Sequence, residues 1–180
     1  MGNYKLRPID PDIVGRMNHD WSRQIDQLDD DAAYIIGSGQ DRMLALCEKH
    51  IGSSESILLL SALIEDGTNN VCALVEITDA RKSKDPAFKF LNIFLEPRLI
   101  LDYKSEVHKG DLQEIFNIIS SALTESMTLA LRNGVKKLKI FGRTDEMLGA
   151  FDLIIAEIDS SSLGVDIYRQ GKWLVIETRE

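Results

Sequence analysis

The sequence predicts a mixed α/β fold, an α+β single domain with one β-sheet flanked by helices. Three observations predict it. Strand-sized apolar runs such as SILLLSALIE (56–65) and VCALVEITD (71–79) fill the middle of the chain. Segments with apolar residues three and four apart lie before and after them. The strands meet first through a hairpin and later through a helical crossover, which gives a sheet with antiparallel and parallel pairs.

From the N-terminus, YKLRPI (4–9) is a short first strand ended by Pro8 and Pro11, and Asp10 can cap the helix after it. Residues 11–28 carry Ile13, Met17, Trp21, Ile25 and Leu28 at helical spacing. DQLDDDAAYIIGSGQD (26–41) reads as an acidic loop, with GSGQD as a flexible helix entry. DRMLALCEKHI (41–51) is a second helix, and Gly52 suits its stop. SILLLSALIE and VCALVEITD are strands joined by DGTNN, which is hairpin chemistry. DARKSKDP (79–86) is a polar loop. FKFLNIFLEPRLILD (88–102) reads as a third long strand containing Pro97, which marks a bulge, an edge or a place where pairing stops.

Residues 111–132 form a helix capped by Asp111, with Leu112, Ile115, Phe116, Ile119, Leu123, Met127 and Leu131 on one face. Gly134 takes the left-handed position after it. VKKLKIFG is a strand on which Lys137 and Lys139 share a face, expected to be solvated or edge-protecting. TDEMLGAFDLIIAEI (144–158) is a helix, and GVDIYR and KWLVIETRE are strands around a Gln170-Gly171 turn. The predicted order is β-α-α-β-β-β-α-β-α-β-β.

A net charge of −8 argues against nucleic acid and against an anionic membrane surface. Two local basic clusters remain, at Lys104, His108 and Lys109 and at Lys136, Lys137 and Lys139. Cys47 and Cys72 are too few for a disulfide framework and read as buried thiols. The chain shows no signal peptide and no run long enough to span a bilayer, and Leu6 breaks the myristoylation pattern, so the expectation is cytoplasmic. His19, His50 and His108 are isolated, and DDD (29–31) lacks a calcium-loop pattern, so no metal is expected. The closing hairpin and DARKSKDP are candidate contact surfaces for a homodimer.

Nearly the whole chain resembles the GNAT-type N-acetyltransferases. EDGTNNVCALVEITD is similar to that family's hairpin between its second and third strands. LNIFLEP is similar to its fourth strand, and FNIISSALTESMTLALRNGVKKLKIFG to its long helix and fifth strand. DEMLGAFDLII and VDIYRQGKWLVIE fit its next helix and closing hairpin.

The resemblance implies acetyl-CoA as cofactor and an amine as acceptor, its identity unknown. In the family an Arg/Gln-x-x-Gly-x-Gly/Ala loop joins strand to helix and holds the pyrophosphate on backbone N–H groups. Here the joint reads SEVHKGDL, with Lys104, His108, Lys109 and Gly110 as the residues to meet phosphate. The backbone of Ile93, Phe94 and Leu95 would hold the pantetheine arm. Glu96 is the candidate base, ahead of Glu65 and Glu76, and Tyr103 is the nearest hydroxyl in the segment.

The chain departs from the family pattern at Asp111, which competes with an anion for helix amides, and at Phe151, where a tyrosine often stands. Arg143, Thr144 and Asp145 stand where an asparagine is common. The expectation is an acyl-CoA-dependent N-acyltransferase. The alternative is a non-catalytic protein of the same fold, with a binding, regulatory or assembly role.

Overall fold

Asp10 sets the first helix. Its backbone is extended (φ −134°, ψ 171°), and its Oδ1 accepts the N–H of Ile13 at 2.7 Å. Pro11 stands next, at the first helical position, where its missing N–H costs nothing. The computed structural model describes residues 4–28, 30–51, 58–101, 109–157 and 164–179.

Over these residues the chain runs β1 (Tyr4–Pro8), α1 (Pro11–Ile25), α2 (Asp30–Ile51), β2 (Leu58–Glu65), β3 (Val71–Asp79) and β4 (Phe88–Leu95). It continues with α3 (Pro97–Leu101), α4 (Lys109–Arg132), β5 (Lys137–Phe141), α5 (Asp145–Glu157), β6 (Val165–Gln170) and β7 (Trp173–Thr178). The strands form a seven-stranded sheet in the order β1-β2-β3-β4-β5-β7-β6. β1 and β2 pair antiparallel, β4 and β5 parallel, and β7 is antiparallel to both β5 and β6. The mixed sheet and the predicted element order are therefore present, with one short helix added.

Three local readings are corrected. The acidic stretch before residue 41 is not a loop: α2 begins at Asp30. Gly37 and Gly39 each cost about 1 kcal/mol in a helix interior. Gln40, Met43 and Cys47, all buried and three and four apart, form a stripe that outweighs this cost. Asp30 and Asp31 add a favourable charge at the helix N-terminus.

The long strand through Pro97 is shorter than read: β4 stops at Leu95, so of the three readings of Pro97 the end of pairing holds, and Pro97 opens α3, a position its fixed φ favours.

Lys137 and Lys139 are neither solvated nor at an edge, because β5 lies between β4 and β7. Lys139 is 6% exposed. Asp85, from the polar loop, supplies the counter-charge. Its Oδ1 accepts from Lys137 at 2.8 Å and its Oδ2 accepts from Lys139. Lys139 also donates to Gln170 Oε1 at 2.6 Å.

The chain divides into two compact units, Met1–Glu76 with Ile93–Ala122, and Ile77–Asn92 with Leu123–Glu180. In the first, α1 and α2 lay Ile13, Met17, Trp21, Met43 and Cys47 against Leu60 and Val71. Trp21 Nε1 donates to Val71 O at 2.9 Å, so the indole is buried without an orphaned donor. In the second, Phe88, Leu138 and Val175 are fully buried, and Gly134 takes the expected left-handed φ of 74°. Both cysteines are free and buried, as the sequence suggests. Among the described residues no helix is long and apolar enough to cross a membrane, and no group of His, Cys, Asp and Glu could hold a metal ion. Gly52 lies outside the described residues.

Candidate functional site

The candidate site lies in the first unit, where β4 ends. A cavity of about 710 Å³ opens there. Trp21 of α1 contributes to its wall, as do Ile36, Gln40, Arg42, Met43 and Leu46 of α2. Ile93, Phe94 and Leu95 close it along β4, followed by Pro97 and Ile100 of α3. The three β4 residues chosen from sequence are thus brought together on one cavity. Trp21, placed from sequence on the apolar spacing of the first helix, is both core and wall.

Glu96 sits at the turn between β4 and α3, fully buried at 0% exposure. Its N–H donates to Cys72 O at 3.0 Å, which fixes the backbone. Its Oε1 accepts from Arg98 Nη2 at 2.8 Å, and its Oε2 accepts from Gln24 Nε2 at 3.0 Å. Gln24 clamps the turn twice, because its Oε1 also accepts the Arg98 N–H at 3.0 Å. Arg98 then forks onto Glu114 of α4, at 3.1 and 2.5 Å. The guanidinium bridges two carboxylates, and the geometry is the planar fork that arginine supplies and lysine cannot.

These contacts set the electrostatics. Hydrogen bonding to Glu114 holds the Arg98 guanidinium above its ordinary value, and the same bond holds the Glu114 carboxyl below its own. Burial, with Glu96 and Glu65 nearby, pushes the Cys72 thiol up to about 12, so it is a neutral thiol and no nucleophile at neutral pH. Burial, with the negative charge of Glu114 and Glu65 adding to it, pushes Tyr4 up to about 12. The site holds two carboxylates and one guanidinium in a network, beside a cavity whose surface is mostly hydrocarbon.

The other candidates divide. Tyr103, Lys104 and His108 lie outside the described residues. Lys109 and Gly110 open α4, which begins ahead of Asp111, so Asp111 stands in the first turn and is not the cap. The first helical amides are therefore those around Lys109 and Gly110, where a helix end favours an anion. Glu65 accepts from Thr68 Oγ1 at 2.8 Å in the hairpin turn, and Glu76 lies on β3. Phe151 is buried on α5, in the second unit.

Sequence reasoning missed Gln24, Arg98 and Glu114. The signal available was weak: an E-P-R triplet in which the proline starts a helix places the acid and the base two residues apart across a sharp turn.

No protein-family model matches the chain, and no curated protein matches it. Solved structures similar to it include the spermidine/spermine N-acetyltransferase SpeG from Vibrio cholerae, at 15% identity and a TM-score of 0.43, covering 97% of this chain and 92% of that one. An acetyltransferase of the GNAT family from Listeria monocytogenes is 11% identical, with a TM-score of 0.45, over 98% of this chain and 95% of that one. The GNAT domain of S. lividans PAT is 13% identical, with a TM-score of 0.44, over 96% and 88%. These neighbours are GNAT acetyltransferases, the family the sequence resembles. At such identities and TM-scores, none of them says what this chain binds or does.

Proposed function

We propose that the chain is an acyl-CoA-dependent N-acyltransferase that passes an acyl group to an amine by direct attack on the thioester. The observation that carries this reading is the cavity at the end of β4, walled by the residues that the sequence resemblance assigns to the pantetheine arm. The opening of α4 at Lys109 and Gly110 supports it, since a helix N-terminus suits the phosphates.

Acyl-CoA supplies an activated thioester. The backbone of Ile93, Phe94 and Leu95 orients the arm, and Lys104, His108, Lys109 and Gly110 meet the phosphates. The amine nitrogen forms the new C–N bond as the C–S bond breaks. Glu96 is the group assigned to the amine proton; its oxygens accept from Arg98 and Gln24 and its side chain is closed to solvent, so the proton reaches it through water only when this network opens. Tyr103 is the hydroxyl assigned to the leaving thiolate.

Thiol release from acetyl-CoA, measured over a panel of amines, tests the reading. The expected result is saturable release that falls about 100-fold or more in Glu96→Gln. Lys109→Glu is expected to raise KM for the thioester. No release with any amine, together with no affinity for CoA, would overturn it in favour of a non-catalytic binding or regulatory role.

A further inference from the structure

The cavity has a chemistry of its own that narrows its occupant. Among the described residues its wall includes no aspartate and no glutamate, and Arg42 is its only charged side chain. Arg42 is exposed, and it forms no ion pair among the described residues. Most of the remaining wall is aromatic or aliphatic: Trp21, Met43, Leu46, Phe94 and Ile100 stand for it.

The volume of about 710 Å³ is within the range of about 300–1,000 Å³ that takes a drug-sized molecule. An acetyl group and a small amine would leave much of that hydrocarbon surface facing water. One buried polar group interrupts it. Gln40 is 7% exposed, and its Nε2 donates to Asn18 Oδ1 at 3.0 Å and to Ser22 Oγ at 3.1 Å. Both amide hydrogens are used, and its buried Oε1 has no partner among the described residues.

We infer that the cavity takes a predominantly apolar molecule or moiety with a neutral or anionic head, and that it rejects aliphatic cations. The positive field of Arg42, and a wall without carboxylates among the described residues, weigh against a cation, whose ammonium would be desolvated without a counter-charge. The apolar body gains its affinity from burial. The assignment rests on the acyltransferase reading only in its two sources for such a body: an acyl chain longer than acetyl, or the apolar body of an acceptor whose amine stays outside the cavity.

Gly39 offers a clean perturbation. It lines the cavity in the interior of α2, and a Cβ built on it meets nothing within 4 Å. Gly39→Leu therefore starts from an open Cβ position on the cavity wall, and it raises helix propensity.

The test is calorimetric titration of the full chain with decanoate, 1-decanol and decyltrimethylammonium, each below its micellar or solubility limit. Decanoate and decanol are expected to bind saturably, and the cation at least about tenfold more weakly, a difference of about 1.4 kcal/mol. Gly39→Leu is expected to weaken both binders about tenfold or more while Tm holds or rises. Arg42→Ala should remove the preference over the cation. Equal binding of the cation, absent binding of all three, or affinity unchanged in Gly39→Leu would overturn the assignment.

Acetyl-CoA and decanoyl-CoA separate the sources. Affinity that rises with chain length and is competed by decanoate assigns the cavity to the acyl chain. Equal affinity, with decanoate still bound beside saturating acetyl-CoA, assigns it to the acceptor. Binding of the probes with no binding of either thioester keeps the cavity assignment and removes the acyltransferase reading.

Discussion

Replacing Arg98 by methionine removes the cation that pairs with a fully buried carboxylate. Breaking a buried ion pair from one side costs about 3–5 kcal/mol, because the remaining charge has lost its water and its partner. Here the discount is large. The Arg98 side chain is 42% exposed and Glu114 33%, so solvent already screens that half of the network. Glu96 is 0% exposed and keeps the Gln24 bond. The expected loss is about 2–3 kcal/mol.

Glu96→Leu should behave differently. It removes the buried charge together with its need for a partner, and Arg98 keeps both bonds to Glu114. Its expected cost is about 1 kcal/mol, mainly the orphaned Gln24 amide. The double variant should recover part of the Arg98→Met loss, because no fully buried charge is stranded and Glu114 is partly open to solvent. Urea unfolding followed by far-UV circular dichroism at neutral pH measures all three. A loss below about 0.5 kcal/mol for Arg98→Met, the level of an exposed pair, would refute the reasoning. So would a double variant no more stable than Arg98→Met.

Three other outcomes are expected from the structure. Hydrogen bonds from Lys137 and Lys139 hold the Asp85 carboxyl down at about 2, from an ordinary 3.8. A depressed carboxyl stabilises above its unfolded value, so this contribution is complete above about pH 4 and is lost as pH falls toward about 2. Asp85→Asn should flatten stability across that window and cost about 1–2 kcal/mol at neutral pH, since Lys139 loses its carboxylate partner in a buried position; an unchanged acid limb in the variant would contradict it. A Cβ at Gly142 would stand 2.6 Å from Leu148 Cδ2 and 2.9 Å from Phe151 Cε2. Gly142→Ala should therefore lower stability by about 1–2 kcal/mol, read as a fall in Tm, and a neutral result would mean that α5 gives way freely. Asp10→Ala should cost about 1 kcal/mol by removing the Ile13 cap, and Asp10→Asn should restore most of it.

Local pattern made much of the fold legible. VCALVEITD reads as a strand over the residues the structure gives to β3. The closing hairpin turns at Gly171 with φ 62°, as its Gln-Gly pair suggests. Where the reading failed, the deciding contacts were distant in sequence. Two glycines and a run of acids made residues 30–40 look like a loop, and only the packing of α2 against α1 and β2 shows why a helix holds there. A proline after a long apolar strand fits a bulge as well as a helix start, and the Gln24 clamp, 74 positions from Arg98, decides for the helix. Lys137 and Lys139 read as surface because their partner Asp85 stands 52 and 54 positions away.

The candidate site shows the same division. Ile93, Phe94 and Leu95 could be chosen from strand position and resemblance. The burial of Glu96 could not, because Gln24, Arg98 and Glu114 come from three different helices.

The central claim is that the end of β4 and the start of α4 form a site for an acyl-CoA. Isothermal titration of the purified chain with acetyl-CoA and with free CoA tests it most directly. The account predicts saturable binding in the micromolar range, weakened about tenfold or more by Lys109→Glu, as expected for a lost phosphate contact. Absence of heat at millimolar cofactor, with no shift in Tm, would contradict it.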